Sequence, residues 1–376
     1  MNNIYINKYF KKRSLKNIGK THKSIKREDF KFLISIPCYN EFNYIFDTLN
    51  SIDKQNKKLL KDTLVIIVIN NSNKETRHIK KNNEKTYQKL INQKYNFNFI
   101  VIDCFSENYA ISEKLSGVGY ARKIGLDFAL NYVLDENSIL CNLDADTIIN
   151  KNYLKIIKEY FNKKINAAVI NFKHQKSNNP TIEEGIRKYE NSIKSIANKI
   201  KKTGSPYGYV SMGSTIVCNV KSYVACGGMN TKKATEDFYF LQALAKYTKI
   251  YKINEILVSP SSRKENRVYL GTGFRMNEYV RNSSFKNLNF SDDSYLEISK
   301  IITISTKHWS DNYNVVIKKM YQRLNSKSID FLIEKNFENI WKKFRNNAKS
   351  KKQFLIFFHQ WFDALSIMKL LKKISN

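Results

Sequence analysis

Asp144 and Asp146 flank a single alanine directly after the apolar run Ile139–Leu143. Alternate side chains of an extended segment point the same way, so these two carboxylates can converge. Close like charges repel unless a cation lies between them or one of them is protonated. Hard divalent ions take oxygen ligands, commonly one or two carboxylates plus substrate phosphates. The pair therefore reads as a candidate Mn²⁺ or Mg²⁺ site; the bland alternative is that Asp146 or Asn150 caps the helix beginning near Tyr153. A second acidic pair, Glu236-Asp237, opens the segment EDFYFLQALAKY behind Cys226-Gly-Gly-Met-Asn230. It either complements a helix dipole or supplies a general base for an acceptor hydroxyl, one acid acting and the other positioning.

Two basic elements could meet an anion. Gly117-Val-Gly119-Tyr-Ala-Arg122 places an arginine in the first turns of a helix after a glycine loop, and helix N-termini and guanidinium both suit phosphate. Arg263 and Arg267 precede Gly271 and Gly273 in what reads as a flexible phosphate-covering loop or a solvated basic one. His174, just past an apolar run, is a weak third metal-ligand candidate beside its structural reading. Ten of the 12 glycines fall in four short clusters, three of them beside these residues; each spends chain entropy on a shaped loop.

The elements that must position these groups follow from apolar runs. Phe32–Pro37 (FLISIP), Leu64–Ile69 (LVIIVI), Phe97–Ile102 (FNFIVI) and Ile139–Leu143 (ILCNL) read as buried strands. Glu41–Ile52 and Gly117–Val133 carry helical spacing between them. This alternation predicts an α/β fold with a mainly parallel sheet and helices on both faces, its ligands at the carboxyl ends of the strands. Further on, Ala167–Phe172 and Ile250–Leu257 read as strands, Val210–Cys218 as a further element, and Ile182–Ile200 and Thr235–Tyr247 as helices. From about Arg275 the chain is basic, glycine-free and helical. The expected division is a loosely ordered basic lead-in over 1–30, a catalytic domain over 31–275 and a helical region over 276–376.

The chain has 376 residues, 42% apolar and 26% charged, enough to bury a full core. Its 65 Lys and Arg against 33 Asp and Glu leave a formal charge of +32. That excess suits anionic company or simply reflects a Lys-rich composition. The five cysteines share no CxxC spacing, which suits buried thiols in a reducing cytoplasm. No run of about 18 apolar residues offers a membrane span. Phe354–Ile374, with Trp361 at its middle and lysines at its end, reads as a packed core helix. Its sharper reading is an interfacial helix at an anionic membrane, giving a peripheral protein at the inner face of the cell membrane.

In combination and order, four segments resemble glycosyltransferase family 2. Ile34-Ser-Ile-Pro37-Cys-Tyr39-Asn40-Glu41 resembles its first strand and nucleotide-contacting turn. Gly119-Tyr-Ala-Arg122-Lys-Ile-Gly125 resembles its "aRN.G" helix start, Leu143-Asp144-Ala-Asp146 its DxD, and Gly227-Gly228-Met-Asn230 with Glu236-Asp237 its "GG…ED" motif. The resemblance, over about 32–275, implies a GT-A fold and sugar transfer from a nucleotide-diphosphate donor to a saccharide or lipid-linked acceptor. It further implies that Asp146, with Asp144, holds Mn²⁺ or Mg²⁺. Asp237 would be the base of an inverting displacement with Glu236 beside it. Arg122, Arg263 and Arg267 would approach the diphosphate, and the metal would neutralise charge on the leaving group. Two departures stand out: Asn70-Asn71 where an acidic residue often meets the base, and Lys123 where the family usually has Asn. Rival readings are a non-catalytic nucleotide-sugar binder and a basic nucleic-acid-binding protein; the latter lacks any recognisable nucleic-acid motif.

Overall fold

The structure, a computed structural model, describes residues 4–16, 18–25, 29–265, 271–286 and 288–375. Its strands are β1 (Lys20–Thr21), β2 (Phe32–Cys38), β3 (Thr63–Asn70), β4 (Asn98–Cys104), β5 (Ile139–Asn142), β6 (Ile148–Ile149), β7 (Ala167–Phe172), β8 (Ile216–Asn219) and β9 (Ile250–Ser259). They form one sheet in the order β1-β4-β3-β2-β5-β8-β7-β9-β6. Every residue of β2 and β3 is buried, because both faces of the sheet are covered; such strands read as continuous apolar runs.

The long ladders are parallel: β2 with β3 and β5, β3 with β4, and β7 with β9. The carboxyl ends of β2 to β5 therefore lie on one edge, where ligands of open α/β sheets bind. Asn40 and Glu41, Asn71, and Asp144 with Asp146 follow directly from those ends. At the far side, β6 pairs antiparallel with the end of β9, Ile148 opposite Ser259. That pairing brings the segment after β9 alongside the segment before β6.

The helices of the first compact unit are α1 (Ile4–Lys12), α2 (Ile45–Asp53), α3 (Lys57–Lys61), α4 (Arg77–Ile91), α5 (Val118–Ala129), α6 (Tyr153–Asn162), the start of α7 (Pro180–Lys202), α8 (Val220–Ala225), α9 (Glu236–Tyr247) and α10 (Thr272–Asn282). Helix α5 is buried along nearly its whole length and packs on β2 and β3. Gly125 permits this: a Cβ there would lie 2.1 Å from Ser35 Oγ.

The expected α/β class with C-terminal helices is what the chain adopts. The boundaries differ. One compact unit runs to Ile186 and resumes over Ser211–Ser283; the other is Arg187–Val210 with the residues from Ser284 on. The division at 275 thus misses that part of α7 belongs with the C-terminal helices. Nor is the lead-in without structure: α1 buries Ile6 and Tyr9, and β1 pairs antiparallel with β4. Both are anchored by distant residues, which local periodicity does not reveal. Proline does not end β2, which continues through Pro37 to Cys38 in register with β3.

In the second unit, α11 (Asp292–Lys307), α12 (Tyr313–Tyr321), α13 (Ser326–Glu334), α14 (Phe337–Asn347), α15 (Lys351–Trp361) and α16 (Ala364–Ser375) pack on an aromatic core. Ser291, Asn325 and Ser350 cap their helices through side-chain oxygens. The segment read as one interfacial helix is two, bent by 62°. Phe354, Phe358, Phe362, Leu370 and Leu371 are buried, and the Trp361 ring stacks on Phe337 at 5.5 Å. Its apolar residues therefore serve the unit's own core. Among the described residues no single helix is long and apolar enough to cross a membrane.

Candidate active site

Helix α5 delivers Arg122 into the edge where the strands end. The side chain is buried, and its guanidinium bonds Asp144 through Nη2 and Glu236 Oε1 through Nε, the latter at 3.1 Å. Two glycines make room. A Cβ at Gly213 would lie 2.2 Å from the guanidinium, and one at Gly119 would lie 2.3 Å from the Lys232 carbonyl, so the loop before α9 lies directly on α5. Gly119 permits this close approach. The loop enters α9 through Thr235 in the left-handed region, φ +62°, a conformation sustained only where surrounding contacts impose it. Asn230 Nδ2 donates to the Glu236 carbonyl at 2.8 Å, holding that first turn.

Three carboxylates, Asp144, Glu236 and Asp237, thus gather on one buried guanidinium. The excess of negative charge has a titration consequence. Burial first, and the charge of Glu236 second, push the Asp237 carboxyl up to about 7. Burial also raises Glu236, against the opposing pull of Arg122. Two neighbouring acids, one bonded to an arginine and the other poised near neutrality, form an arrangement that can separate a positioning group from a base.

Asp146 belongs to a different cluster. The Arg263 Nη2 lies 2.5 Å from Glu41 Oε1 and 3.1 Å from Asp146 Oδ2, its Nε lies 3.2 Å from Glu265 Oε2, and the guanidinium sits 4.1 Å over the Tyr44 ring. The β6–β9 pairing explains the meeting. Asp144 and Asp146, expected to converge, are therefore each engaged by a separate arginine. Arg122 and Arg263, expected at a diphosphate, are both held by carboxylates. Glu41, expected at the nucleotide, is buried against Arg263.

An oxygen-only set suits a hard divalent ion. One guanidinium nitrogen shared by Asp146 and Glu41 shows that positive charge is accommodated at that spot. Asp144 and Asp146 keep 34% and 17% of their side chains exposed, so both carboxylates remain reachable. Among the described residues no three His, Cys, Asp or Glu side chains form a ready-made metal cage, so phosphate oxygens would have to complete the coordination. His174 does not join: its buried ring lies edge-on to Phe172, with Nε2 3.3 Å from Thr272 Oγ1.

The turn after β2 is organised by Asn83 of α4, which no sequence signal marked. Its Oδ1 accepts from the Asn40 N–H at 2.9 Å, and its Nδ2 donates to the Asn70 carbonyl and to Asn71 Oδ1. Asn40 needs that support, because it sits at φ +59°. Asn71 also donates to the Ser72 and Phe105 carbonyls, so its amide serves the fold and is not spare for a base. Asn70 differs: its buried Oδ1 has no hydrogen-bond partner among the described residues. Tyr39 donates to Glu75 Oε2 at 2.8 Å, while Pro37 lies inside the β2 ladder. Arg267 lies outside the described residues. Glu265 and Tyr44 also went unread in the sequence; only contacts across the fold single them out.

Residues 33–217 match the family model of Glycosyl transferase family 2. Among curated proteins no match was found. Similar solved structures include S. aureus TarS 1–349 in complex with UDP-GlcNAc, 15% identical, with 88% of this chain and 91% of that chain covered at a TM-score of 0.44. Another is the mannosyltransferase PcManGT from Pyrobaculum calidifontis in complex with GDP-Man and Mn²⁺, 11% identical, with 96% and 94% covered at a TM-score of 0.43.

Proposed function

The chain belongs to glycosyltransferase family 2, and from that premise we propose a metal-dependent, inverting transfer of a sugar from a nucleotide-diphosphate donor to a saccharide or lipid-linked acceptor. The observation that carries this reading is the Glu236-Asp237 pair on Arg122, with Asp237 pushed up to about 7. A carboxylate of that basicity can take a proton near neutral pH.

In the proposed step an acceptor hydroxyl oxygen forms a bond to the anomeric carbon while the bond from that carbon to the diphosphate oxygen breaks. The hydroxyl proton passes to Asp237, and the electron pair of the breaking bond leaves with the nucleoside diphosphate. Glu236, bonded to Arg122 through Oε1, keeps the first turn of α9 in place. Asp146, with Asp144, would hold Mn²⁺ or Mg²⁺, which when bound neutralises charge on the leaving diphosphate. Asn70, with its buried Oδ1, is the better of the two asparagines to meet the nucleobase.

The test is nucleotide release over a panel of UDP- and GDP-sugars, with and without Mn²⁺. Asp237→Asn should retain donor binding and lose transfer by about 10²–10⁴-fold, the usual contribution of a general base. Asp146→Ala should lose the metal-dependent part of release. Full transfer by Asp237→Asn would overturn the assignment of the base.

A further inference from the structure

Helix α1 walls a cavity of about 770 Å³ against the Cys226–Thr231 loop and α9, a volume typical of small-molecule sites. It turns Tyr5, Lys8, Tyr9, Lys12 and Arg13 to that cavity; steps of three, four, seven and eight residues make one helical face. The helix is anchored by Tyr9, which is buried and donates to Asp127 Oδ1 at 2.6 Å. A Cβ at Gly228, itself at φ +77°, would lie 1.9 Å from the Tyr9 hydroxyl, so α1 docks here only over a glycine.

The charge of the cavity follows from its lining. Lys123 lies in its wall, but the Asp127 carboxylate behind it, 3.1 Å from Nζ, offsets that charge. Lys8, Lys12 and Arg13 remain, and none of the described lining side chains is acidic. Lys232 adds a further cation, 4.4 Å over the ring of the lining Tyr239. Glu236 and Asp237 do not line this cavity, so it is separate from the carboxylate clusters above. Three cations beside Tyr5 and Tyr239 suit a ligand with a phosphate group and a ring to lie on an aromatic face.

We propose that this cavity binds a phosphorylated saccharide, its phosphate held by Lys8, Lys12 and Arg13 and its sugar ring against Tyr5 and Tyr239. The saccharide half rests on the glycosyltransferase reading; the phosphate half rests on the lining alone. The probe is glucose 6-phosphate titrated calorimetrically into the full chain at low salt, with glucose, orthophosphate and phosphatidylglycerol vesicles as separate arms. Lys12 and Arg13 are exposed, so the double variant Lys12→Glu/Arg13→Glu should fold. It should weaken glucose 6-phosphate binding at least tenfold while leaving UDP and GDP binding unchanged. Lys12→Gln/Arg13→Gln should give a smaller loss in the same direction. Unchanged affinity in both variants overturns the site, as does glucose binding as tightly as its phosphate. Equal binding of orthophosphate overturns the saccharide half, and binding of the vesicles alone assigns the cations to a lipid surface instead. Because the readout is binding and not turnover, failure here is distinguishable from failure of Asp237 as base.

Discussion

At the scale of single residues, the chemistry turns on what each arginine is allowed to do. Arg122 is surrounded by carboxylates and withdrawn from water, so it acts as an internal counter-ion that opposes the rise burial imposes on Glu236, while burial lifts Asp237. A base must be deprotonated to work, so with a carboxyl near 7 the proposed kcat/KM falls as pH drops through about 7. Glu236→Gln removes the negative charge that helps raise Asp237, and the acid limb of the pH profile should move to lower pH. A limb that stays put in this variant would detach the ionisation from Asp237. Arg263 competes for the oxygens of Asp146 that a divalent ion would use. Arg263→Ala should therefore bind Mn²⁺ several-fold more tightly in the absence of donor, read by calorimetry on the free protein; weaker Mn²⁺ binding would mean that the arginine supports the ion.

Among elements, the decisive pairings join segments far apart in sequence. The short β6 ties the stretch after Asp146 to the end of β9, which is why Arg263 reaches Asp146 at all. Glycines at 119, 213 and 228 are read in the sequence as loop formers, yet each works by letting another element come close. Gly228→Ala puts a methyl group against the Tyr9 hydroxyl and asks alanine to adopt a positive φ. We expect a loss of about 1–3 kcal/mol in denaturant unfolding, the usual range for strain of this kind. Amide hydrogen exchange should show α1 losing protection first, since its anchor is the group displaced. Equal protection of α1 in variant and parent would remove Tyr9 as that anchor.

Over the whole molecule, two compact units have separate cores. In the second, Trp341 is fully buried, edge-on to Phe354 at 4.9 Å, with its indole N–H donating to the Asp311 carbonyl. Trp341→Ala should cost about 3–5 kcal/mol, the range for deleting a buried aromatic. Calorimetry should then show a low-temperature transition split from the main one, with donor binding kept below it. A single shifted transition would instead mean that the two cores unfold cooperatively. The +32 charge takes its place at this scale: the carboxylate clusters stand out locally in a basic chain, and Lys8, Lys12 and Arg13 share one face.

Local pattern alone was legible in the residues. Continuous apolar runs placed the buried parallel strands, since a strand covered on both faces can contain little else. The acidic pairs stood directly after a strand and at the start of a helix, positions that a linear reading can recognise. Tertiary structure alone decided who meets whom: Asp144 with Arg122, Asp146 with Arg263, Asn83 with the turn at Asn40, and Tyr9 with Asp127. Those contacts span from 22 to 118 residues of chain. Their energies depend on burial and on the meeting of opposite charges, and neither is a property of any short stretch of sequence.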